Sequence, residues 1–324
     1  MTVLSVVVPA TDAPPTLARC RAAIAASTDQ ADQLIVVDGP AELSAADARN
    51  VGVAHALGDV VVFVDADVEV HPDALARIRA AFDADPDLTA VHGSYDDTPW
   101  AHGTVSVFRN LLHHHVHQAG AGPAETFWTG LGAVRRSDLV AVGGFDGARY
   151  RHPSIEDIEL GHRLAARGGR LRLDPEIQGT HLKRWTLRSM LMTDFARRGV
   201  PWVALQVQTR QMASTLNCGW RHRVSAAACA LGPLAGVLGF PLVALVALVT
   251  LLGLNRAFYS LLVQRLGVLQ AGAGVALHGL HHLVSVAAVP VGLAVGVAAA
   301  VSGAGPSRRR PKLEPAPAAG TVSP

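Results

Sequence analysis

Between Val224 and Gly305 the chain carries only two charged residues, Arg256 and Arg265, and every acid except Glu314 lies before Val224. So long a stretch without charge must be buried in protein or in lipid, which divides the chain into a polar globular part and an apolar C-terminal part. The 32 uncharged residues from Val224 to Asn255 would run about 48 Å as a helix, against a hydrocarbon core of about 30 Å. The 42 residues from Leu266 to Ser307 would run about 63 Å, more than one upright crossing. Gln270, His278, His281 and His282 sit in the first half of that run. Either that half rests at an interface or the run folds into a hairpin, since polar groups inside a span ordinarily have a task or a partner. Arg221 and Arg223 precede the first run, and Arg308, Arg309, Arg310 and Lys312 follow the second. Positive flanks stay in the cytoplasm, which predicts an even number of crossings, most simply two.

The expected organisation is a cytoplasmic domain over 1–215, a basic juxtamembrane linker over 216–223 and a transmembrane helix over 224–255. A short loop over 256–265, a second transmembrane helix with an interfacial segment over 266–305, and a disordered basic, Pro- and Ala-rich tail over 306–324 complete it. No basic n-region or cleavage signature precedes the apolar run Leu4–Val8, so no signal peptide is expected, and the chain is placed at the cell membrane as a multi-pass protein. Charged residues make up 17% of the 324 residues and the net charge is +2, too small and dispersed a balance for nucleic acid as a partner. Cys20, Cys218 and Cys229 lack metal-ligand spacing and leave an odd count, so they read as buried apolar side chains.

Up to about residue 95, short β-branched runs alternate with helical stretches. Strands are expected at Leu4–Val8, Gln33–Val37, Val60–Val64 and Ala90–Tyr95, with helices starting near Pro14, Ser44 and Pro72. Ser44 with Asp47 three residues on resembles a capping box, the two prolines suit a first helical turn, and Gly58 reads as a helix stop. Strand, helix, strand at this spacing predicts an α/β fold, a mainly parallel sheet with helices on both faces, whose ligands bind beyond the carboxyl ends of the strands. Polar residues fall there: Pro9, Thr11 and Asp12 after the first strand, Asp38 and Gly39 after the second, Asp65, Ala66 and Asp67 after the third. Clustered acids repel one another unless something cationic joins them, which points to a metal ion or to sugar hydroxyls. Further on lie a histidine-bearing helix over Val105–Gln118, a helix opening at Ile155-Glu156-Asp157, and short strands near Arg170–Leu173 and Ile177–Gly179.

In order along the chain stand Ser5-Val6-Val7-Val8-Pro9, Val36-Val37-Asp38-Gly39, Ala48-Arg49-Asn50, Phe63-Val64-Asp65-Ala66-Asp67, Gly143-Gly144-Phe145-Asp146 and Glu156-Asp157. In this sequence of elements, over about residues 3 to 185, the chain resembles the family 2 glycosyltransferases of GT-A fold, membrane-anchored and bacterial in type. The resemblance implies an inverting hexosyltransferase-like enzyme that moves a sugar from a nucleotide-sugar donor to an acceptor, with a divalent cation, Mn2+ or Mg2+. Asp67 is implied as the metal ligand, and Asp65 as a contact to the ribose and the metal's waters. Pro9, Asp12, Asp38 and Arg49 are implied to line the donor pocket, although Ala10-Thr11-Asp12 departs from the aromatic and Asn found in many relatives. Asp157 is implied as the general base, taking the acceptor's proton as its oxygen attacks the anomeric carbon. Gly144 and Glu156 would shape the acceptor and diphosphate side, and Trp128 is equally a core aromatic or a sugar contact.

His181-Leu182-Lys183-Arg184-Trp185 resembles the Gln-x-x-Arg-Trp element of membrane-linked synthases, with His181 in place of Gln, a departure that weakens any case for polymer synthesis. Arg184 would meet the diphosphate and Trp185 the acceptor. Arg188, Arg197 and Arg198 extend a basic face suited to anionic headgroups or a lipid-phosphate acceptor, or serve only as a positive flank. The donor base, the sugar and the acceptor stay open, a lipid-linked acceptor being one candidate. His113, His114, His115 and His117 lack a completing carboxylate or cysteine nearby and read as a polar helix face. Two other readings compete. Haloacid-type phosphatases also use Asp-x-Asp, but there the pair ends the first strand, not the third; a non-catalytic membrane scaffold would tolerate loss of Asp67 and Asp157. The first strand leads into Pro9-Ala10-Thr11, which excludes a dinucleotide-binding glycine turn, and no Gly-Lys-Ser/Thr loop exists.

Overall fold

The structure, a computed structural model, describes residues 1–210, 219–302 and 322–323. These divide into two compact units. The first comprises Met1–Trp100 and His117–Lys183 with the terminal Val322 and Ser323; the second comprises Ala101–Val116 and the described residues of 184–307.

The first unit is built on one sheet. Its strands are β1 (Leu4–Pro9), β2 (Gln33–Val37), β3 (Val60–Val64), β4 (Val68–Val70), β5 (Leu88–Tyr95), β6 (Gly122–Ala124), β7 (Leu131–Arg135), β8 (Arg170–His181) and the two-residue β9 (Val322–Ser323). They lie in the order β4-β8-β5-β7-β3-β1-β2-β9, with β6 beside β8. The expected parallel centre is present, β1 pairing Val6 with Leu34 on one side and with Val62 on the other. Beyond it the sheet is mixed, because β7 enters antiparallel between β3 and β5.

Alternation along each strand feeds two cores, since successive side chains point to opposite faces. Leu4, Val6 and Val8 of β1 and Val60, Val62 and Val64 of β3 pack with Cys20 and Ile24 of α1 (Leu17–Ala25) and with Leu75, Ile78 and Phe82 of α3 (Ala74–Ala84). Val7, Val61 and Phe63 face the other way, toward Ala48 and Val53 of α2 (Ala45–His55) and Leu160 and Leu164 of α6 (Glu156–Ala166). Phe63 meets Phe145 edge-on at 5.2 Å between ring centroids. The Ser44 side chain caps α2 by accepting from Asp47 N–H at 3.0 Å, as its spacing predicts.

Two local expectations change. Gly58 is not a left-handed helix stop: α2 ends at His55, and Gly58 is small because β1 runs against it. A Cβ there would meet Val3 O at 2.6 Å, and its N–H donates to Ser5 Oγ at 2.8 Å. The two short strands expected at 170–173 and 177–179 are one strand, β8, paired along β5 on either side of an irregularity between His92 and Ser94. Gly93 admits the bulge, since a Cβ there would lie 2.0 Å from Ile177 O.

The second unit is helical. Helix α4 (Thr104–Ala119), which runs on into the first unit's sequence, contributes Val107, Phe108, Leu111 and Leu112 to a core with Met190 of α7 (Leu187–Met192) and Phe258, Tyr259 and Leu262. A π-helical turn (Thr193–Gly199) leads into α8 (Val200–Thr209). The run expected as one span over 224–255 is two helices, α9 (Trp220–Val237) and α10 (Pro241–Leu254), broken at Gly239 with φ +79° and restarted by Pro241 at the first helical turn. The expected loop over 256–265 is helical, belonging to α11 (Arg256–Val301), which kinks at Gly267 (φ 75°, ψ 165°). By length and composition α11 is the one helix among the described residues able to cross a membrane. Its three histidines are buried: His278 Nδ1 lies 3.0 Å from Tyr259 Oη, His281 Nδ1 lies 2.8 Å from Asp194 Oδ2, which in turn pairs with Arg109, and the His282 ring lies 4.4 Å from that of His278. The tail expected to be disordered over 306–324 lies outside the described residues except for Val322 and Ser323.

Candidate active site

The carboxyl ends of β1 and β3 and the loops after β2 and before α6 enclose a cleft of about 420 Å³ in the first unit. Pro9, Thr11 and Asp12 line it after the first strand, Glu42 and Leu43 from the loop preceding α2, Arg49 from α2, and Asp65, Ala66 and Asp67 after the third strand; Arg151, His152 and Lys183 also line it. Carboxylates and cations thus share one concave surface, the arrangement expected for a ligand carrying both phosphates and a bridging cation.

The Asp65-Ala66-Asp67 turn is fixed by backbone bonds from several directions. Asp65 N–H donates to Gly130 O at 3.1 Å, Val68 N–H to Asp65 O at 2.9 Å, and Leu182 N–H to Asp67 O at 2.8 Å. The antiparallel pairing of Val68 with His181 locks the same corner. His181 stacks on Tyr95 with centroids 4.2 Å apart, and its Nε2 lies 3.6 Å from Asp67 Oδ2. Burial raises the Asp67 carboxyl, yet His181 and Lys183 outweigh it and hold the group below the usual carboxylate range. Beneath the turn, burial with Asp65 and Asp67 close by pushes the Cys20 thiol up to about 12, and its Sγ lies 3.6 Å from Asp65 O.

Arg49 lines the cleft as expected, and protein carboxylates also hold its guanidinium. Its guanidinium is buried, with Nη2 donating to Asp65 Oδ1 at 2.8 Å and Nη1 to Glu156 Oε1 at 3.0 Å. Burial disfavours its charge, but Asp65, Glu156 and Asp157 more than compensate and raise its pKa well above the ordinary value. With both terminal nitrogens engaged by protein carboxylates, Arg49 is a brace joining α2, the end of β3 and the start of α6. Glu156 is the other end of that brace: buried, it also accepts from Ser154 N–H at 2.7 Å, and it does not line the cleft.

Asp157 stands one residue further on, its carboxylate accepting from Thr129 N–H at 3.4 Å and Ile158 N–H at 2.8 Å. Gly143 and Gly144, at φ 85° and 73°, form a left-handed turn whose carbonyl at Gly144 accepts from Arg163 Nη2 at 2.7 Å. Asn50 clasps the next residue, exchanging hydrogen bonds of 2.8 Å with the Phe145 backbone on both sides. Neither glycine lines the cleft. Asp38 is exposed at the end of β2 and also lies outside the lining. Trp128 packs edge-on against Tyr95 at 4.8 Å and His117 at 5.2 Å, as a core aromatic does. Arg184 and Trp185 belong to the second unit, where Arg184 is exposed and Trp185 lies 5.7 Å below the Arg109 guanidinium.

Sequence reasoning missed Lys183 and Arg151 as cleft cations. Lys183 sits inside the element that drew attention to Arg184 and Trp185, so a signal existed; Arg151 lies in an irregular loop with none. A hard divalent cation fits the turn, because Asp65 and Asp67 are oxygen donors on one wall. Among the described residues no group of three or more His, Cys, Asp or Glu is arranged to hold a metal. The protein therefore offers few ligands, which suits an ion completed by substrate phosphates and water.

Residues 40–140 match the family model described as Glycosyl transferase family 2. No curated protein matches significantly. Among solved structures the chain is similar to the mannosyltransferase PcManGT from Pyrobaculum calidifontis in complex with GDP-Man and Mn2+, at 18% identity, covering 93% of this chain and 87% of that one with a TM-score of 0.45. It is also similar to glucosyl-3-phosphoglycerate synthase from Mycobacterium tuberculosis in complex with phosphoglyceric acid, at 17% identity, covering 59% and 76% with a TM-score of 0.40. GalNAc-T7 with UDP, GalNAc and Mn2+ is similar at 16% identity, covering 57% and 44% with a TM-score of 0.42.

Proposed function

We propose that this chain is a glycosyltransferase of the family 2 kind, whose model matches residues 40–140, and that it binds a nucleotide-sugar donor in the cleft and transfers the sugar with inversion to an acceptor at the membrane. The observation that carries this reading is the single cleft wall on which Asp65 and Asp67 stand with Lys183 and Arg151. The carboxylates would hold Mn2+ or Mg2+, which when bound supplies positive charge to the departing diphosphate. Lys183 and Arg151 add donors to the same phosphates, where charge builds as the sugar leaves. Pro9, Asp12 and Glu42 bound the nucleoside end, and Arg49 keeps Asp65 aimed into the cleft.

Asp157 acts as the base. Its carboxylate takes the proton of the acceptor hydroxyl while that oxygen bonds to the anomeric carbon, and the bond to the diphosphate oxygen breaks with its electron pair going to the diphosphate. The second unit, with its apolar helices, attaches the enzyme to the membrane and brings a lipid-linked acceptor within reach. The positive flanks Arg221 and Arg223 favour a cytoplasmic catalytic unit.

The test is binding of a panel of UDP-, GDP- and dTDP-sugars to the detergent-solubilised full chain, with and without Mn2+. Metal-dependent binding of one donor, abolished in Asp67→Ala, is the expected result. No binding of any donor, or equal binding by Asp67→Ala, overturns the assignment.

A further inference from the structure

We propose that α9 and α10 form a re-entrant hairpin that enters the bilayer from one face and returns to the same face without crossing. The two helices pack antiparallel: Ser225 is level with Asn255, Gly232 with Ala247 and Gly236 with Ala244. A Cβ at Gly232 would sit 3.0 Å from that of Ala247, and one at Gly236 3.8 Å from that of Ala244, so small residues line the seam and bring the backbones close. Much of the outer surface of the arms is apolar and exposed. Leu231, Leu234, Val237, Leu242, Val246 and Val249 are all more than half exposed, and Val237 next to the turn is 86% exposed. A surface of this kind, with no charge on it, calls for hydrocarbon around it.

Three observations select one leaflet-side entry over a crossing. First, the arms are short. The 14 residues of α10 rise about 21 Å, and Val224–Val237 of α9 rises about as much, against about 30 Å of hydrocarbon. Second, the turn Val237-Leu238-Gly239-Phe240-Pro241-Leu242 has no polar side chain. A turn emerging on the far side would put Leu238 and Phe240 into headgroups and water. Third, the turn satisfies its own donors as a backbone in lipid must. Leu238 N–H donates to Leu234 O at 3.0 Å, Gly239 N–H to Gly236 O at 3.3 Å and Phe240 N–H to Ala235 O at 2.8 Å, while Pro241 has no N–H to satisfy. At the opposite end the hairpin is polar: Asn255 Nδ2 donates to Ser225 Oγ at 2.9 Å, and Arg221, Arg223 and Arg256 are exposed beside that rung. Cations at the base and hydrocarbon at the tip match one anionic headgroup layer and the acyl chains beneath it.

The inference rests on the membrane attachment proposed above and not on sugar transfer. Donor binding by the same preparation reports on the latter separately. The experiment places single cysteines at Leu238→Cys (tip) and Trp220→Cys (base) in a full-length chain with Cys20, Cys218 and Cys229 replaced by Ala, in sealed vesicles of each orientation. A membrane-impermeant maleimide is expected to label position 220 from one side only, and to label position 238 from neither side until detergent is added. Labelling of position 238 from the side opposite position 220 shows a crossing; labelling from the same side shows a tip outside lipid. Either result overturns the proposal. As a measurement independent of the cysteine background, Leu238→Trp in vesicles of brominated lipids is expected to be quenched most by bromines deep in the acyl chains. Strongest quenching by bromines near the headgroups, or a disulfide between two copies of Leu238→Cys without quenching of the tryptophan variant, overturns it as well.

Discussion

Replacing Arg49 with methionine tests whether the buried brace holds the site together. In the native fold its guanidinium, 5% exposed at the side chain, spans Asp65 Oδ1 and Glu156 Oε1. Methionine keeps most of the volume and removes the charge. The two carboxylates it leaves behind differ: Asp65 is 31% exposed and can be rehydrated, whereas Glu156 is 6% exposed and cannot. Removing one partner of a buried ion pair costs about 3–5 kcal/mol, because the remaining charge stays desolvated. That cost falls on Glu156. At about 2–4 °C per kcal/mol for a domain of this size, the first unit should melt about 6–20 °C lower. Thermal unfolding of the full chain in detergent, followed by near-ultraviolet circular dichroism, measures it.

The same reasoning fixes two companions. Glu156→Gln needs no cation, so Arg49→Met with Glu156→Gln should recover part of the loss, with a coupling of about 0.5–3 kcal/mol. Arg49→Lys should fall between wild type and Arg49→Met, since one ammonium cannot fork to two carboxylates. A methionine variant as stable as wild type, or a double variant showing the plain sum of its singles, would refute the brace.

Asp157→Asn should lower kcat by about 10²- to 10⁴-fold, the usual share of a general base, with the donor Kd unchanged; equal loss of both sinks its assignment. Lys183→Ala should weaken donor binding by about tenfold to a hundredfold, from about 1.5–3 kcal/mol for a charge-assisted hydrogen bond, and titration calorimetry with nucleotide diphosphate reads it directly. A pH effect follows from His71, whose Nε2 lies 3.0 Å from Asp96 Oδ2. The hydrogen bond that His71 donates to the Asp96 carboxylate raises the His71 pKa; burial alone would raise that of Asp96, yet His71 and Thr180 hold it low. The His71 contribution is complete below about pH 6.5, its unfolded value, and is lost as pH rises through its higher folded value. The Asp96 contribution is complete above about pH 3.9 and is lost on acidification. The Tm difference between wild type and His71→Gln should therefore be largest near pH 5–6 and shrink above neutrality; a gap that widens from pH 6 to 9 would contradict the pair.

The parts of the fold that were legible in the sequence are those decided locally. Val6, Val8, Val60 and Val62 alternate with Val7, Val61 and Phe63, so each strand announces its two faces, and the acids at the strand ends follow directly. Strand β7 was not legible, because Leu131-Gly132-Ala133-Val134-Arg135 has little strand preference of its own and becomes a strand by filling the gap between β3 and β5. The continuity of Arg170–His181 was not legible either, since the tolerance for Pro175 within one strand comes from the irregular pairing with β5 around Gly93. In the site, Asp65 and Asp67 stood out as a motif, whereas one of the two carboxylates that hold Arg49, Glu156, lies 107 residues away. No spacing rule reaches across that distance. Arg49 lines the cleft where its place in the sequence puts it, and the folded contacts add that protein carboxylates engage both its terminal nitrogens.

The apolar C-terminal part failed differently. A hydropathy sum over Val224–Asn255 counts residues and is blind to direction, so it returns one long span where the chain reverses. The reversal was written in the sequence at Gly239 and Pro241, a left-handed glycine followed by a helix-starting proline. Together they divide the length available for crossing into two short arms, and the absence of any polar residue between them decides on which side of the acyl chains the turn can rest. Length, turn chemistry and flanking charge therefore have to be read together before an uncharged run is counted as a crossing.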